Sequence, residues 1–221
     1  MPDPSDAGRP PVTARSPELA GIASHLLDTL ERQHRARELA LGECRMTIRL
    51  SSLAIRSIHR QEEGIDRKLA EAGSHLRSAQ DALRPYAALA SAGFLHDAAK
   101  EYVEACLTWA LVRGSALDGP EELDVEVAAW LCGLTEAASE LRRYLLDRLR
   151  EGDSRQAESL MREMEDVYDL LVAIDYPDAI TGGLRRHVDA LRAVLERSRA
   201  DVTTTMLQEA LKRTIESSGV T

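Results

Sequence analysis

Aromatic residues are scarce in this 221-residue sequence: they make up 4%, with a single phenylalanine, Phe94. That is thin for a platform on which successive bases could stack. Cysteine is scarce as well. Cys44, Cys106 and Cys132 are odd in number and none stands at C-x-x-C spacing, which argues against a disulfide framework or a zinc site and for a reducing compartment. Each lies in an apolar helical pattern, where cysteine serves as a small buried hydrophobe. Basic charge does not dominate, since 28 Lys and Arg against 37 Asp and Glu leave a net −9. A uniformly basic nucleic-acid binder is thereby excluded, but a local basic patch is not. No apolar run approaches the ~18 residues of a membrane span; the best is Val127 to Leu134. The N-terminus lacks the basic-then-apolar order of a secretory signal. A cytoplasmic protein without a membrane partner is expected.

Proline is nearly absent from most of the chain. Five of the eight prolines fall in residues 1–17 among Gly, Ser and Asp, which predicts a disordered tail. The others, Pro85, Pro120 and Pro177, punctuate stretches rich in Ala, Leu, Glu and Arg, the strong helix formers. No stretch alternates apolar and polar residues over strand length. The pattern predicts one all-α domain over about 18–217, with about seven helices packed as an antiparallel bundle. They are expected over about 18–60, with a break near Gly42, then about 65–84, 90–112, 122–150, 154–174, from Pro177 or Gly183 to about 200, and about 203–216. Asp153 or Ser154 and Thr203–Thr205 are the expected caps of the fifth and seventh.

Charge is unevenly spread. Residues 32–60 hold seven arginines and only Glu38 and Glu43 as acids, a net +5 on a chain of −9. Arg45, Arg49, Arg56 and Arg60 are spaced 4, 7 and 4 apart, which sets them within roughly 60° of one another on a helix. Ser52 and His59 lie on or beside that stripe. Like charges at i, i+4 repel, and the planar guanidinium fork suits phosphate. Two readings follow. The stripe binds an anionic partner such as nucleic acid, or it pairs with acids of other helices. Arginine outnumbers lysine 25 to 3 throughout, so general composition contributes to its richness.

Acids concentrate elsewhere. Glu101 and Glu104 stand i, i+3 on the third predicted helix, with Asp97 one turn earlier. Glu136 and Glu140 stand i, i+4 on the fourth, flanked by Trp130, Leu131, Leu134 and Leu141. Carboxylates in apolar helix are costly unless partnered. Two such pairs on neighbouring helices could hold a hard cation such as Mg²⁺, which could activate water for phosphodiester hydrolysis. Pairing with arginine, or plain solvation, is the competing reading.

The same segments, taken in order, resemble the translin family, which includes translin and translin-associated factor X. They are Ile55 to Arg60, Lys100 to Ala105, Trp130 to Leu134 with Ser139 to Leu141, Gly152-Asp153, Val167-Tyr168, and Leu184 to Arg192 followed by Leu195-Glu196. The resemblance extends over about residues 25–215. It implies an all-α subunit of the translin type that assembles into a hollow homo-oligomer, an octamer-like shell. It implies binding of single-stranded RNA or DNA, with Arg45, Arg49, Arg56, His59 and Arg60 as the contacts carried onto this chain. In the factor X branch it further implies an endoribonuclease dependent on Mg²⁺ or Mn²⁺, whose catalytic and metal-holding acids fall on Glu101, Glu104, Glu136 and Glu140. One position departs from that branch: the residue matched by Glu136 is aspartate there. The extra methylene carries the carboxylate about 1.5 Å further from the backbone. Asp97 has no counterpart in the family motif.

Overall fold

The computed structural model describes residues 17–91 and 93–217. The predicted tail over 1–17 lies outside the described residues except for Pro17, which opens the first helix. Eight helices follow in order: α1 (Pro17–His59), α2 (Ile65–Leu83), α3 (Ala87–Ala90), α4 (Gly93–Arg113), α5 (Val127–Arg150), α6 (Ser154–Val172), α7 (Asp178–Thr181) and α8 (Leu184–Ser217). No strand occurs among the described residues. None of their helices is long and apolar enough to cross a membrane.

Local chemistry explains the ends that match the sequence reading and those that do not. The turn after α1 uses left-handed backbone at Gln61 and Gly64, and it folds α2 back along α1. Contacts descend in register: Ser57 with Lys68, Thr47 with the Ala72 carbonyl, Glu43 with His75. Asp153 caps α6 by accepting from the Gln156 N–H at 3.0 Å, as expected. Gly42 does not break α1: it is exposed, with nothing within 4 Å of the place its Cβ would occupy. One glycine among strong helix formers costs only about 1 kcal/mol. The expected cap at Thr203–Thr205 does not form either. Thr205 donates its hydroxyl back to the Asp201 carbonyl at 2.9 Å, and α8 runs unbroken for 34 residues. The predicted sixth and seventh helices are therefore one. α5 starts at Val127 rather than near 122, because Asp124 takes a left-handed conformation that closes a turn after Pro120.

The core lies where α4, α5, α6 and α8 meet. Leu107, Leu134, Leu141, Leu145, Met164, Leu171 and Leu191 are fully enclosed there. A smaller cluster of Ala54, Ile58, Ile65, Leu69 and Ala105 ties α1 and α2 to α4. Helices adjacent in sequence run antiparallel, while α5 and α8 lie side by side in the same direction: Glu136 meets His187 and Arg142 meets Asp201. Gly133 sets the closest approach of α5 to α4. A Cβ there would lie 2.7 Å from the Val103 Cβ and 2.8 Å from the Lys100 carbonyl oxygen.

Candidate nucleic-acid interface and acidic site

The second half of α1 has two chemically distinct faces. Inward, it presents mostly small or hydroxylated residues: Ala40, Cys44, Thr47, Ser51, Ala54 and Ser57, with Leu50 and Ile58. Such side chains let α2 and α4 approach the backbone closely. Outward, Arg45, Arg49, Ser52, Arg56 and Arg60 are all exposed. Among the described residues no carboxylate lies within 4.0 Å of Arg45, Arg49 or Arg56, and Arg60 has only Glu62, at 3.6 Å. The arginines nearer the start of α1 differ. Arg32, Arg35 and Arg37 pair with Asp28, Glu31 and Glu38 at 3.0, 2.9 and 2.7 Å. Pairing with acids of other helices, open from the sequence, therefore does not account for the stripe.

His59 sits at the edge of this stripe but points inward. Its side chain is 2% exposed, and its Nε2 lies 2.7 Å from Glu140 Oε2. A carboxylate only accepts, so Nε2 donates. Nδ1 is buried without a partner. The histidine expected among the nucleic-acid contacts thus joins the arginine helix to the acids of α5.

Those acids converge. Glu101 and Glu104 come from successive turns of α4, Glu136 from α5, and each places a carboxylate oxygen within 4.8 Å of the other two. The contact at Gly133, one turn before Glu136, permits it. Glu140 stands outside this trio, on His59, and Asp97 is exposed. Glu104 is buried. Burial, and then the charges of Glu136, Glu101 and Glu140, push its pKa from an ordinary 4.5 up to about 8, while Lys100 pulls it down in part.

Two basic side chains reach the cluster that the sequence reading did not assign to it. Lys100, from α4, sets its Nζ 2.7 Å from Glu136 Oε1 and 3.5 Å from Glu101 Oε1. Burial pulls the pKa of that ammonium down, but the hydrogen bond to Glu136 and the nearby carboxylate charges outweigh it, and the net shift is upward. His187, from α8, has Nδ1 3.4 Å from the same Glu136 oxygen. Burial holds its pKa below the ordinary value, with Glu136 opposing and Lys100, Arg186 and His96 reinforcing the shift. Only its place in the segment Leu184 to Arg192 gave any signal; contact with Glu136 depends on how α8 packs against α5.

Three clustered carboxylates offer hard oxygen donors, the chemistry suited to Mg²⁺ or Mn²⁺. The single ammonium beside them leaves the ionised set in negative excess. The donor set therefore fits a divalent cation, with Glu101, Glu104 and Glu136 as the residues that would hold it.

No family model matches the chain. It is 27% identical over 199 residues to an uncharacterised protein of Methanocaldococcus jannaschii, covering 86% of this chain and 87% of that one. Among solved structures it is similar to AfC3PO in complex with duplex RNA, with 30% identity and a TM-score of 0.77 over 84% of this chain and 97% of that one. AfC3PO solved by itself gives a TM-score of 0.76 with the same identity and coverage. The apo form of NeC3PO shares the fold at 20% identity and a TM-score of 0.71. Sequence identity of this extent over nearly the whole of the AfC3PO chain, joined to the shared fold, establishes that the chain belongs to the translin family.

Proposed function

We propose that this protein binds single-stranded RNA or DNA and cleaves single-stranded RNA as a Mg²⁺-dependent endoribonuclease within a hollow, octamer-like homo-oligomer. The observation that carries the reading is a juxtaposition. An exposed stripe of four arginines, three of which have no acidic partner among the described residues, ends, through His59, at four carboxylates on α4 and α5. Arg45, Arg49, Arg56 and Arg60 would grip backbone phosphates, which positions a strand without reading its sequence. Glu101, Glu104 and Glu136 would hold the cation. A bound divalent ion supplies positive charge for the phosphodiester transition state and lowers the pKa of water. Glu140, held at Oε2 by His59, keeps Oε1 to take a proton from the attacking water. The relative's complex contains duplex RNA, so strand preference belongs in the test.

A second reading is a non-catalytic binder. The ion pairs of Lys100 with Glu136 and Glu101 favour it, since they satisfy two of the acids without a metal. One experiment separates the two. Labelled RNA, single-stranded and as a duplex of the same sequence, is incubated with wild type and with Glu101→Gln/Glu104→Gln, with Mg²⁺ or with EDTA. Cleavage of the single strand by wild type with Mg²⁺, lost in the variant while binding persists, supports the nuclease. Binding without cleavage in every arm leaves the binder. Absence of binding at low salt rules out both.

A further inference from the structure

The chain is built almost without lysine, yet one of its three lysines stands inside the acidic cluster. Of the other two, Lys68 donates to the Ser57 hydroxyl and Lys212 is exposed on α8. Lys100 is different. Its side chain is 18% exposed, and its ammonium lies against Glu136 and Glu101, two of the three acids that converge. Lysine presents a compact point charge on a flexible stem. It can fill a cation site and also leave it.

We propose that Lys100 is an internal competitor for the divalent ion: its ammonium offsets part of the cluster's negative charge in the metal-free chain and must leave Glu136 before a metal loads. The inference rests on the metal-site reading and deepens it. Glu136 Oε1 already receives Lys100 at 2.7 Å and has His187 at 3.4 Å. A divalent ion on the same carboxylate would face a like charge a few ångströms away. At the dielectric usual near protein surfaces that repulsion is large, and the side chain relieves it by swinging outward. The competition is direct, because Glu136, one of the three converging acids, is the carboxylate that holds the ammonium most closely. Loading would then wait on a threshold concentration of metal, higher than three bare carboxylates would need.

Two measurements test this without relying on turnover. Mn²⁺ affinity is measured by titration with paramagnetic resonance of the free ion. Lys100→Gln is expected to bind on the order of 10–100-fold more tightly than wild type, and Lys100→Arg, which keeps the charge, is expected to stay within about threefold of wild type. The second measurement uses wild type alone. Amine acylation read by mass spectrometry is expected to be slow at Lys100 in EDTA and to rise several-fold with Mn²⁺, with Lys68 and Lys212 as internal references. If wild type binds Mn²⁺ but Lys100→Gln binds no more tightly, or Lys100 labelling does not change, the competitor role is wrong and the metal site stands. If neither wild type nor folded Lys100→Gln binds millimolar Mn²⁺, the metal reading fails and this inference fails with it.

Discussion

At the scale of the residue, Glu104 makes the sharpest commitment. Its carboxyl is buried beside three other acids, and its pKa stands at about 8 instead of 4.5. Between those values the folded chain keeps a proton that the unfolded chain has released. Stability from this group is whole below about 4.5 and is lost as pH rises through about 8. In EDTA the melting temperature is therefore expected to fall over that window. Glu104→Gln should flatten the fall and gain about 2–4 kcal/mol near pH 8, read as a rise of several degrees in thermal melts. A melting curve equally pH-dependent in the variant would count against a proton on Glu104. The arginines commit differently. Arg49→Ala/Arg56→Ala should weaken RNA binding and lower the slope of log affinity against log salt by about 2, one for each phosphate that the variant leaves without a guanidinium. An unchanged slope would remove those two side chains from the interface. The arginine stripe and the Glu101–Glu104 pair were legible in the sequence, because each depends on spacing within one helix; the burial that raises the Glu104 pKa was not. Lys100 and His187 were not assigned to the cluster. Their contacts with Glu136 join residues 36 and 51 positions apart, and no pattern local to either helix encodes that packing.

At the scale of the element, glycine explains both a success and a failure of the sequence reading. Gly152, with φ of +80°, makes the turn between α5 and α6, and α5 ends at Arg150 as expected, since left-handed backbone there costs glycine little. Gly42 looks equally disruptive in sequence, yet the helix absorbs it; neighbouring propensity outweighs one weak residue. Gly42→Ala should therefore stabilise the protein by about 0.5–1 kcal/mol, visible as a small rise in melting temperature with unchanged helicity. Gly133 is the opposite case. Its Cβ would meet Val103 and a backbone carbonyl, at 2.7 and 2.8 Å, and a carbonyl in a helix has little freedom to yield. Gly133→Ala should cost about 1–3 kcal/mol and push α5 off α4, moving Glu136 from Glu101 and Glu104. The expected signature is a lower melting temperature together with weaker Mn²⁺ binding. A variant that loses stability but keeps full metal affinity would show that the cluster does not depend on this contact. Helix identity was readable because strong formers fill long proline-free stretches. The continuity of α8 through Thr203–Thr205 was not, since threonine hydroxyls serve equally to cap a helix or to bond back within one.

At the scale of the whole molecule, two helices outrun the bundle. No residue of α1 is buried before Ala40, and none of α8 after Val202. These overhangs are amphipathic. Ile22, Leu26 and Leu30 recur every four residues on α1 and are 50–59% exposed, and Leu207, Leu211 and Ile215 do the same on α8 at 47–66%. Apolar stripes of this regularity mark contact surfaces, and each leucine buried there contributes about 1.5–3 kcal/mol. They are where the proposed homo-oligomer would be joined. Leu26→Glu/Leu30→Glu should reduce the assembly to smaller species by sedimentation while far-ultraviolet circular dichroism stays helical. The consequence for function is separable from folding. If several arginine stripes grip one strand, binding in the assembly gains from high effective concentration, and a dissociated variant should lose affinity for a long RNA far more than for an oligonucleotide spanning one stripe. Equal losses on both would mean that each subunit binds alone. An unchanged sedimentation profile would mean that these stripes do not join subunits.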